Sequence, residues 1–252
     1  MIGTLKLVAS ELLHKQNYVS KKQTELYYDI QKDLKIDGCS FVENFLDAAT
    51  CEKLRSAADD FLFKNPSVVT LESNGYDKRV YRVDKYTDQF NISAIDEIAN
   101  NLFSDFSFII EPDHFMLLGV IEAGPDNLGS GSGWHRDSPF THQFKTIVYL
   151  SDVSEENGPF QYIKGTHRYS SVQESARFLG KKLSERRFAN EEVQKLVENN
   201  VVQELTTFVG KAGSLLIADT RGLHRGSPLK QDSRYALTRY HFATKRSDKF
   251  KI

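Results

Sequence analysis

The sequence predicts an α+β protein with a mainly β core, built on an antiparallel double sheet behind a helical N-terminal portion. Three observations lead there. Apolar residues recur at helical spacing through the first third of the chain. From about residue 105 the pattern changes to short apolar, aromatic and β-branched runs bounded by Gly, Pro, Asn and Asp. Helices first and many short strands later is the order of an α+β fold rather than of alternating βα units.

Taken in order, Leu5, Val8, Leu12 and Leu13 fall at helical spacing, and so do Leu26, Ile30 and Leu34. Gly38 closes the second run as a C′ residue. Phe41 to Leu46 reads as an extended entry. Asp47 or Thr50 then caps a helix through Phe63, stopped by Asn65-Pro66. Ile95, Ile98, Ala99 and Leu102 make the apolar side of a helix over Ser93 to Phe103. Strands are expected at Phe106 to Ile110, Phe115 to Ile121, Thr146 to Leu150, Phe160 to Ile163, Ser214 to Ala218 and Tyr235 to Phe242. Between them Val172 to Asn199, charged and helix-friendly, reads as an insertion.

The chain has 252 residues, is 40% hydrophobic and carries a formal charge of -1. That length can bury a substantial core. With no linker or repeat dividing it, the reading is one domain over 1–252: a mostly helical portion over 1–104 and a core over 105–245, with the insertion at about 171–200. The charge balance gives no reason to expect nucleic acid or a membrane surface as partner. Lys181-Lys182 and Arg186-Arg187 form a local basic cluster that reads as a solvated helix face. Cys39 and Cys51 suggest no disulfide framework, and no window reaches the roughly 20 apolar residues of a bilayer span. The expectation is a cytoplasmic protein acting on a small molecule, with its oligomeric state open.

The chemistry centres on Trp134-His135-Arg136-Asp137 and His224. His135 and Asp137 are one residue apart, so on a strand both face the same side, while Trp134 and Arg136 face the other, where Trp134 can pack. His-X-Asp alone is equally an ordinary surface pair. Its context is more informative: Gly213 to Asp219 reads as a buried strand that presents His224 after a turn. Two imidazoles and one carboxylate occupy one face of an octahedral metal and leave the opposite face open, the arrangement of non-haem Fe(II) oxygenases. Arg234, ten residues past His224, begins an alternating strand where a guanidinium can pair with a carboxylate in the cavity. Arg239 is the second choice.

In this order the motifs resemble the phytanoyl-CoA dioxygenase-like family of Fe(II)/2-oxoglutarate-dependent oxygenases. Trp134-His135-Arg136-Asp137 is similar to the metal-binding His-X-Asp. Glu156 to Ile163 with Gly165-Thr166-His167 resembles the Asn-Gly-Pro … Gly-Ser-His block, and His224 and Arg234 fall where the distal ligand and the co-substrate arginine are expected. The resemblance covers roughly residues 110 to 243. It implies a double-stranded β-helix (jelly roll, cupin-like) and Fe(II) held by His135, Asp137 and His224. It also implies 2-oxoglutarate anchored by Arg234, and dioxygen as oxidant. Lys164 and Thr166 depart from the family's Pro and Ser, and Gly226 stands where a co-substrate Ser is common, with Ser227 next. Asp137 is intact, which argues against a halogenating variant.

Further contacts expected are Thr146, Tyr149 and Ser227 with the co-substrate, and Arg82, Trp134 and His142 with substrate. Tyr76 to Lys85 is equally an edge strand or a substrate surface. His167 reads as a loop support; His14, His114 and His241 receive no role. Leu71 to Gln89, Pro125 to Gly133 and the insertion are the expected walls and lid. The implied reaction is hydroxylation of an unactivated C–H bond of a small polar metabolite, sugar or secondary metabolite, releasing succinate and carbon dioxide. Two alternatives stay open: a cupin-like binding or sensor protein with a structural metal, and a metal enzyme that does not use 2-oxoglutarate.

Overall fold

A computed structural model describes residues 25–72, 75–105, 113–124, 129–140 and 143–242. The expected helix around Leu5 to Leu13, the strand Phe106 to Ile110, His14 and His142 lie outside these residues.

Helix α1 covers residues 25–36 of the described chain and ends at Gly38, whose φ of +82° and amide bond to the Asp33 carbonyl make it the expected C′ glycine. Strand β1 (Cys39–Val42) follows, and then α2 (Ala48–Lys64). The Asp47 carboxylate caps α2 by accepting from the Thr50 amide at 2.7 Å. Helix α3 (Ser93–Asp105) is the second predicted amphipathic helix.

Ten strands are formed among the described residues. The larger sheet runs in the order β1, β8 (Leu215–Asp219), β5 (Gln143–Tyr149), β10 (Ser233–Phe242), β4 (Asp113–Glu122), β3 (Asp77–Tyr81) and β2 (Thr70–Glu72). The smaller holds β7 (Leu205–Phe208), β6 (Phe160–Ile163) and β9 (His224–Gly226). All pairings are antiparallel. This is the double-sheet core that the strand pattern predicts. The segment around Tyr76 to Lys85 supplies β3, but the edge of the sheet is the short β2, which covers it.

The period of two along each strand divides the interior. Phe144, Val148, Leu215, Ile217, Met116, Leu118 and Leu237 face the helices, where they meet Leu54, Ala58, Phe61, Ile98 and Leu102. Ile147, Tyr149, Leu216 and Ala218 face the smaller sheet and pack on Phe160, Tyr162 and Phe208. Farther along this inner face the side chains stop filling the space, and a cavity opens between the sheets.

The insertion contains α4 (Tyr169–Leu179) and α5 (Asn190–Glu198). The basic cluster between them is not a helix face. Gly180 ends α4 at a φ of +64°, and the chain then passes through a turn closed by the Glu185 amide on the Lys182 carbonyl before Arg187 forms an antiparallel bridge with His135. A left-handed glycine breaks the helix there, and backbone bonding to the His135 strand replaces it.

Candidate metal centre

His135 lies between two partners. On one side it bridges Arg187; on the other it bridges His224, with reciprocal amide–carbonyl bonds of 3.0 and 2.9 Å. A directly bridged antiparallel pair projects both side chains to one side, so the two imidazoles arrive with ring centroids 4.2 Å apart. The Asp137 amide bonds the Thr220 carbonyl at 2.9 Å, which fixes the carboxylate beside them. The loop before His224 is held by Thr166, whose hydroxyl donates to the Ile163 carbonyl at 2.6 Å and accepts from the Leu223 amide at 2.8 Å. Thr keeps the hydroxyl that the Ser of the resembled block would supply.

The hydrogen bonds of the rings decide their tautomers. His135 Nδ1 lies 2.9 Å from the Gly133 carbonyl and His224 Nδ1 lies 2.9 Å from the Gly222 carbonyl. A carbonyl only accepts, so each Nδ1 carries the proton and each Nε2 presents a lone pair. Those Nε2 atoms stand 3.6 and 3.9 Å from Asp137 Oδ1. Three donors bound at about 2.1 Å to one octahedral ion would sit roughly 3 Å apart. The three groups therefore need only a small contraction to close on a cation.

The electrostatics agree. Burial, reinforced by the Lys145 ammonium, pushes His135 down to about 4. Burial, the neighbouring His135 and Lys145 hold His224 well below the usual histidine range. Burial works to raise the Asp137 carboxyl, but Lys145 and the two imidazoles outweigh it and keep the group ionised. The set is two neutral imidazoles and one carboxylate, the protonation states a divalent metal requires.

The cavity beside this cluster measures about 180 Å³, enough for about six waters at roughly 30 Å³ each. Its inner wall comes from alternate residues of adjacent strands, among them Lys145, Ile147 and Tyr149 of β5, and Arg234, Ala236, Thr238 and Tyr240 of β10. Gly119, Ala236 and Thr238 leave open space between the His-Asp-His cluster and Arg234. Arg234 is 5% exposed, and its Nε has no hydrogen-bond partner. A buried guanidinium that faces a cavity with an unpartnered Nε–H calls for an anion. Arg239 instead points away from the cavity, toward α3, and pairs with Asp96.

The remaining expectations divide by strand parity. Tyr149 lines the cavity, but its hydroxyl donates to the Phe208 carbonyl and accepts from the Phe160 amide, both at 3.0 Å. Thr146 lies three residues from Tyr149 and so faces the opposite side, with its hydroxyl 3.1 Å from His241 Nε2. Ser227 turns from the cavity and donates to the Pro159 carbonyl at 3.1 Å, while Gly226 lines it. Trp134 packs with Ile163, Val193, Leu196 and Leu223, under the Arg225 guanidinium at 4.7 Å. Arg82 adopts a left-handed turn and stacks on Phe115 at 5.6 Å. Neither Trp134 nor Arg82 lines the cavity.

Asp77, Arg79 and Arg187 line the cavity from segments expected as its walls, whereas Lys145 and Tyr240, also on the wall, were not anticipated. Lys145 is the most informative. Its ammonium lies 2.7 Å from Asp137 Oδ2, 3.5 Å from His224 Nε2 and 4.6 Å from the Tyr240 ring centroid. Burial works to pull Lys145 down, but Asp137 prevails and raises it. The one charged residue of the strand, at even spacing from Tyr149, was the available signal.

By fold and site this is a double-sheet protein with a His-Asp-His cluster that could hold a metal ion beside a buried cavity. Residues 34–236 match the family model described as Phytanoyl-CoA dioxygenase (PhyH), and the chain belongs to that family. No curated protein sequence matches the chain. Among solved structures it is similar to the epimerase SnoN in complex with Fe3+, alpha ketoglutarate and nogalamycin RO, with TM-score 0.63 and 16% identity over 87% of this chain and 84% of that one. It is similar to the alpha ketoglutarate dependent carbocyclase SnoK, with TM-score 0.61 and 15% identity over 85% and 83%. It is also similar to EctD from S. alaskensis with bound Fe, with TM-score 0.62 and 16% identity over 86% and 80%. At these identities the likeness establishes the shared fold. Among the described residues no helix is long and apolar enough to cross a membrane.

Proposed function

We propose that the protein is a non-haem Fe(II)- and 2-oxoglutarate-dependent dioxygenase that hydroxylates an unactivated C–H bond of a small polar metabolite. His135, Asp137 and His224 hold the iron, and Arg234 receives the far carboxylate of 2-oxoglutarate. The observation that carries this reading is the orientation of the three donors: both Nε2 lone pairs and Asp137 Oδ1 converge, and Nδ1–H bonds lock each ring. Family membership and the unpartnered Arg234 support it.

When bound, iron with 2-oxoglutarate and dioxygen supplies an oxidant able to break such a bond, releasing succinate and carbon dioxide. The chain's part is binding, orientation and shielding. The Gly133 and Gly222 carbonyls keep the imidazoles in the ligating tautomer. Trp134 and Phe160 back the site with apolar surface; the Phe160 ring stacks on His224 with centroids 5.5 Å apart. The small residues Gly119 and Ala236 leave a path from the donors to Arg234. Other α-ketoglutarate-dependent proteins on this fold are described as an epimerase and a carbocyclase. The substrate's placement therefore selects the outcome, and hydroxylation is the simplest one.

The test is succinate formation. Protein supplied with Fe(II), 2-oxoglutarate and air should release succinate slowly without added substrate, and His135→Ala or Asp137→Ala should abolish it. Metal binding with no 2-oxoglutarate binding would overturn the reading in favour of a metal enzyme of another kind.

A further inference from the structure

The charges of the cavity do not balance once its metal and co-substrate are in place. Arg79 is matched by Asp77, with Nη2 to Oδ2 at 2.5 Å, and by Glu72 at 3.0 Å. Arg234 has no carboxylate partner among the described residues, Arg187 bonds only to the carbonyls of Gly131 and Ser132, and Lys145 shares Asp137 with the metal site. Asp137 divides its oxygens: Oδ1 faces the two imidazoles, and Oδ2 faces Lys145. The Lys145 ammonium, 3.5 Å from His224 Nε2 and 2.7 Å from Asp137 Oδ2, stands beside the donor set. A dication placed among the donors repels it, and its flexible four-carbon stem lets the charge swing into the cavity. A metal dication, Lys145, Arg187 and Arg234, set against Asp137, the two carboxylates of 2-oxoglutarate and the one carboxylate in excess around Arg79, leave one positive charge without a partner. An unmatched buried charge is costly.

The rim points the same way. A second hollow of about 280 Å³ opens beside Asp137 and is lined by Arg136, Arg186 and Arg187. Arg186 donates to the Asp137 carbonyl at 2.9 Å, and Arg187 to the carbonyls of Gly131 and Ser132. Among the described residues no carboxylate pairs with these three guanidiniums. Cations so placed beside the metal site favour anions over cations.

Building on the oxygenase reading, we propose that the substrate is an organic acid and that its carboxylate pairs with Lys145. Lys145 is then a specificity residue, distinct from Arg234: Arg234 serves the co-substrate at the far end of the cavity, and Lys145 serves the substrate beside the metal.

The experiment uses the full chain loaded with Co(II) and saturating 2-oxoglutarate, titrated with acetate and benzoate and with their neutral isosteres acetamide and benzamide. Binding is read by calorimetry and by the Co(II) absorption bands. The acids should bind at least about tenfold more tightly than the amides, the magnitude of one charge-assisted contact. Lys145→Met should lose that preference while still binding Co(II) and 2-oxoglutarate, and Lys145→Arg should keep it. Equal binding of acids and amides, no binding of either acid, or a preference that survives Lys145→Met would overturn the proposal. Loss of 2-oxoglutarate affinity in Lys145→Met would overturn it too, by assigning the lysine to the co-substrate. If the wild-type chain binds no Co(II) or no 2-oxoglutarate, the failure appears before any acid is added and belongs to the oxygenase reading beneath.

Discussion

Arg234 and Arg239 differ by an odd number of positions on one strand, and that parity separates their roles. Arg234 faces the cavity with an unpartnered Nε, whereas Arg239 crosses to the helical side and meets Asp96. Removing a charged group that binds an anion in a buried site costs about 1.5–3 kcal/mol of affinity. Arg234→Met should therefore weaken 2-oxoglutarate binding by roughly ten- to a hundredfold, with metal binding retained. Arg239→Met should lower stability and leave 2-oxoglutarate affinity near wild type. Equal losses of affinity in the two variants, measured by calorimetry on Co(II)-loaded protein, would remove Arg234 from its role. The same parity explains the misplacement of Thr146. It and Tyr149 cannot share a face three residues apart, and the alternation that brings Tyr149 inward brings Lys145 with it. The donor set was legible because its spacing carries its chemistry. Lys145 was not singled out, because a lysine in a strand usually reaches solvent, and only the closing of the second sheet buries this one.

Elements were legible where a local signal fixes them. Asp47 and Asn65-Pro66 bound α2, and the alternating run from Ser233 marks β10. The missed elements lack such signals: β9 is three residues long, and the bridge at Arg187 exists only because His135 lies across from it. Two helix-ending glycines make this distinction measurable. Gly180 has a φ of +64° with no atom within 4 Å of an added Cβ. Gly38 has a φ of +82°, and a Cβ there would lie 2.4 Å from both His167 Nδ1 and the Tyr162 hydroxyl. Gly180→Ala should cost only the left-handed strain of about 1–2 kcal/mol. Gly38→Ala should cost that plus the displacement of a buried histidine and tyrosine, together about 3 kcal/mol or more. At about 2–4 °C per kcal/mol for a chain of this size, thermal melts should show Gly38→Ala falling clearly further. Equal melting temperatures would mean that His167 and Tyr162 are not packed against the end of α1. The ion pair of Lys164 with Asp37 at 2.8 Å ties the same loop to α1 and gives a role to a residue that departs from the resembled motif.

Across the molecule the His-Asp-His cluster is a junction. The residues flanking His135 bond on one side to the Arg187 segment of the insertion, through Arg136 to Arg186 and Phe188 to Trp134. His135 itself bonds on the other side to β9 of the smaller sheet. Asp137 bonds to the turn after β8 of the larger sheet. A metal at this point fastens three parts of the chain that otherwise meet through backbone bonds and apolar packing. The unfolded chain cannot present the three donors together, so binding energy adds to folding energy. At a free metal concentration a hundred times its dissociation constant, the gain is about 2.7 kcal/mol, or roughly 5–10 °C in melting temperature for a chain of this size. Co(II) should raise the melting temperature by this amount, and a chelator should reverse it. Proteolysis within the Lys181 to Phe188 segment should slow in parallel, because that segment is held against His135. His224→Ala keeps the backbone bridge to His135 and loses one donor, so it should melt near the metal-free wild type and show little rise. An equal rise in His224→Ala would place the stabilising ion elsewhere on the surface. A rise without slower cleavage would show that the insertion is held by its own packing on Trp134 rather than by the metal junction.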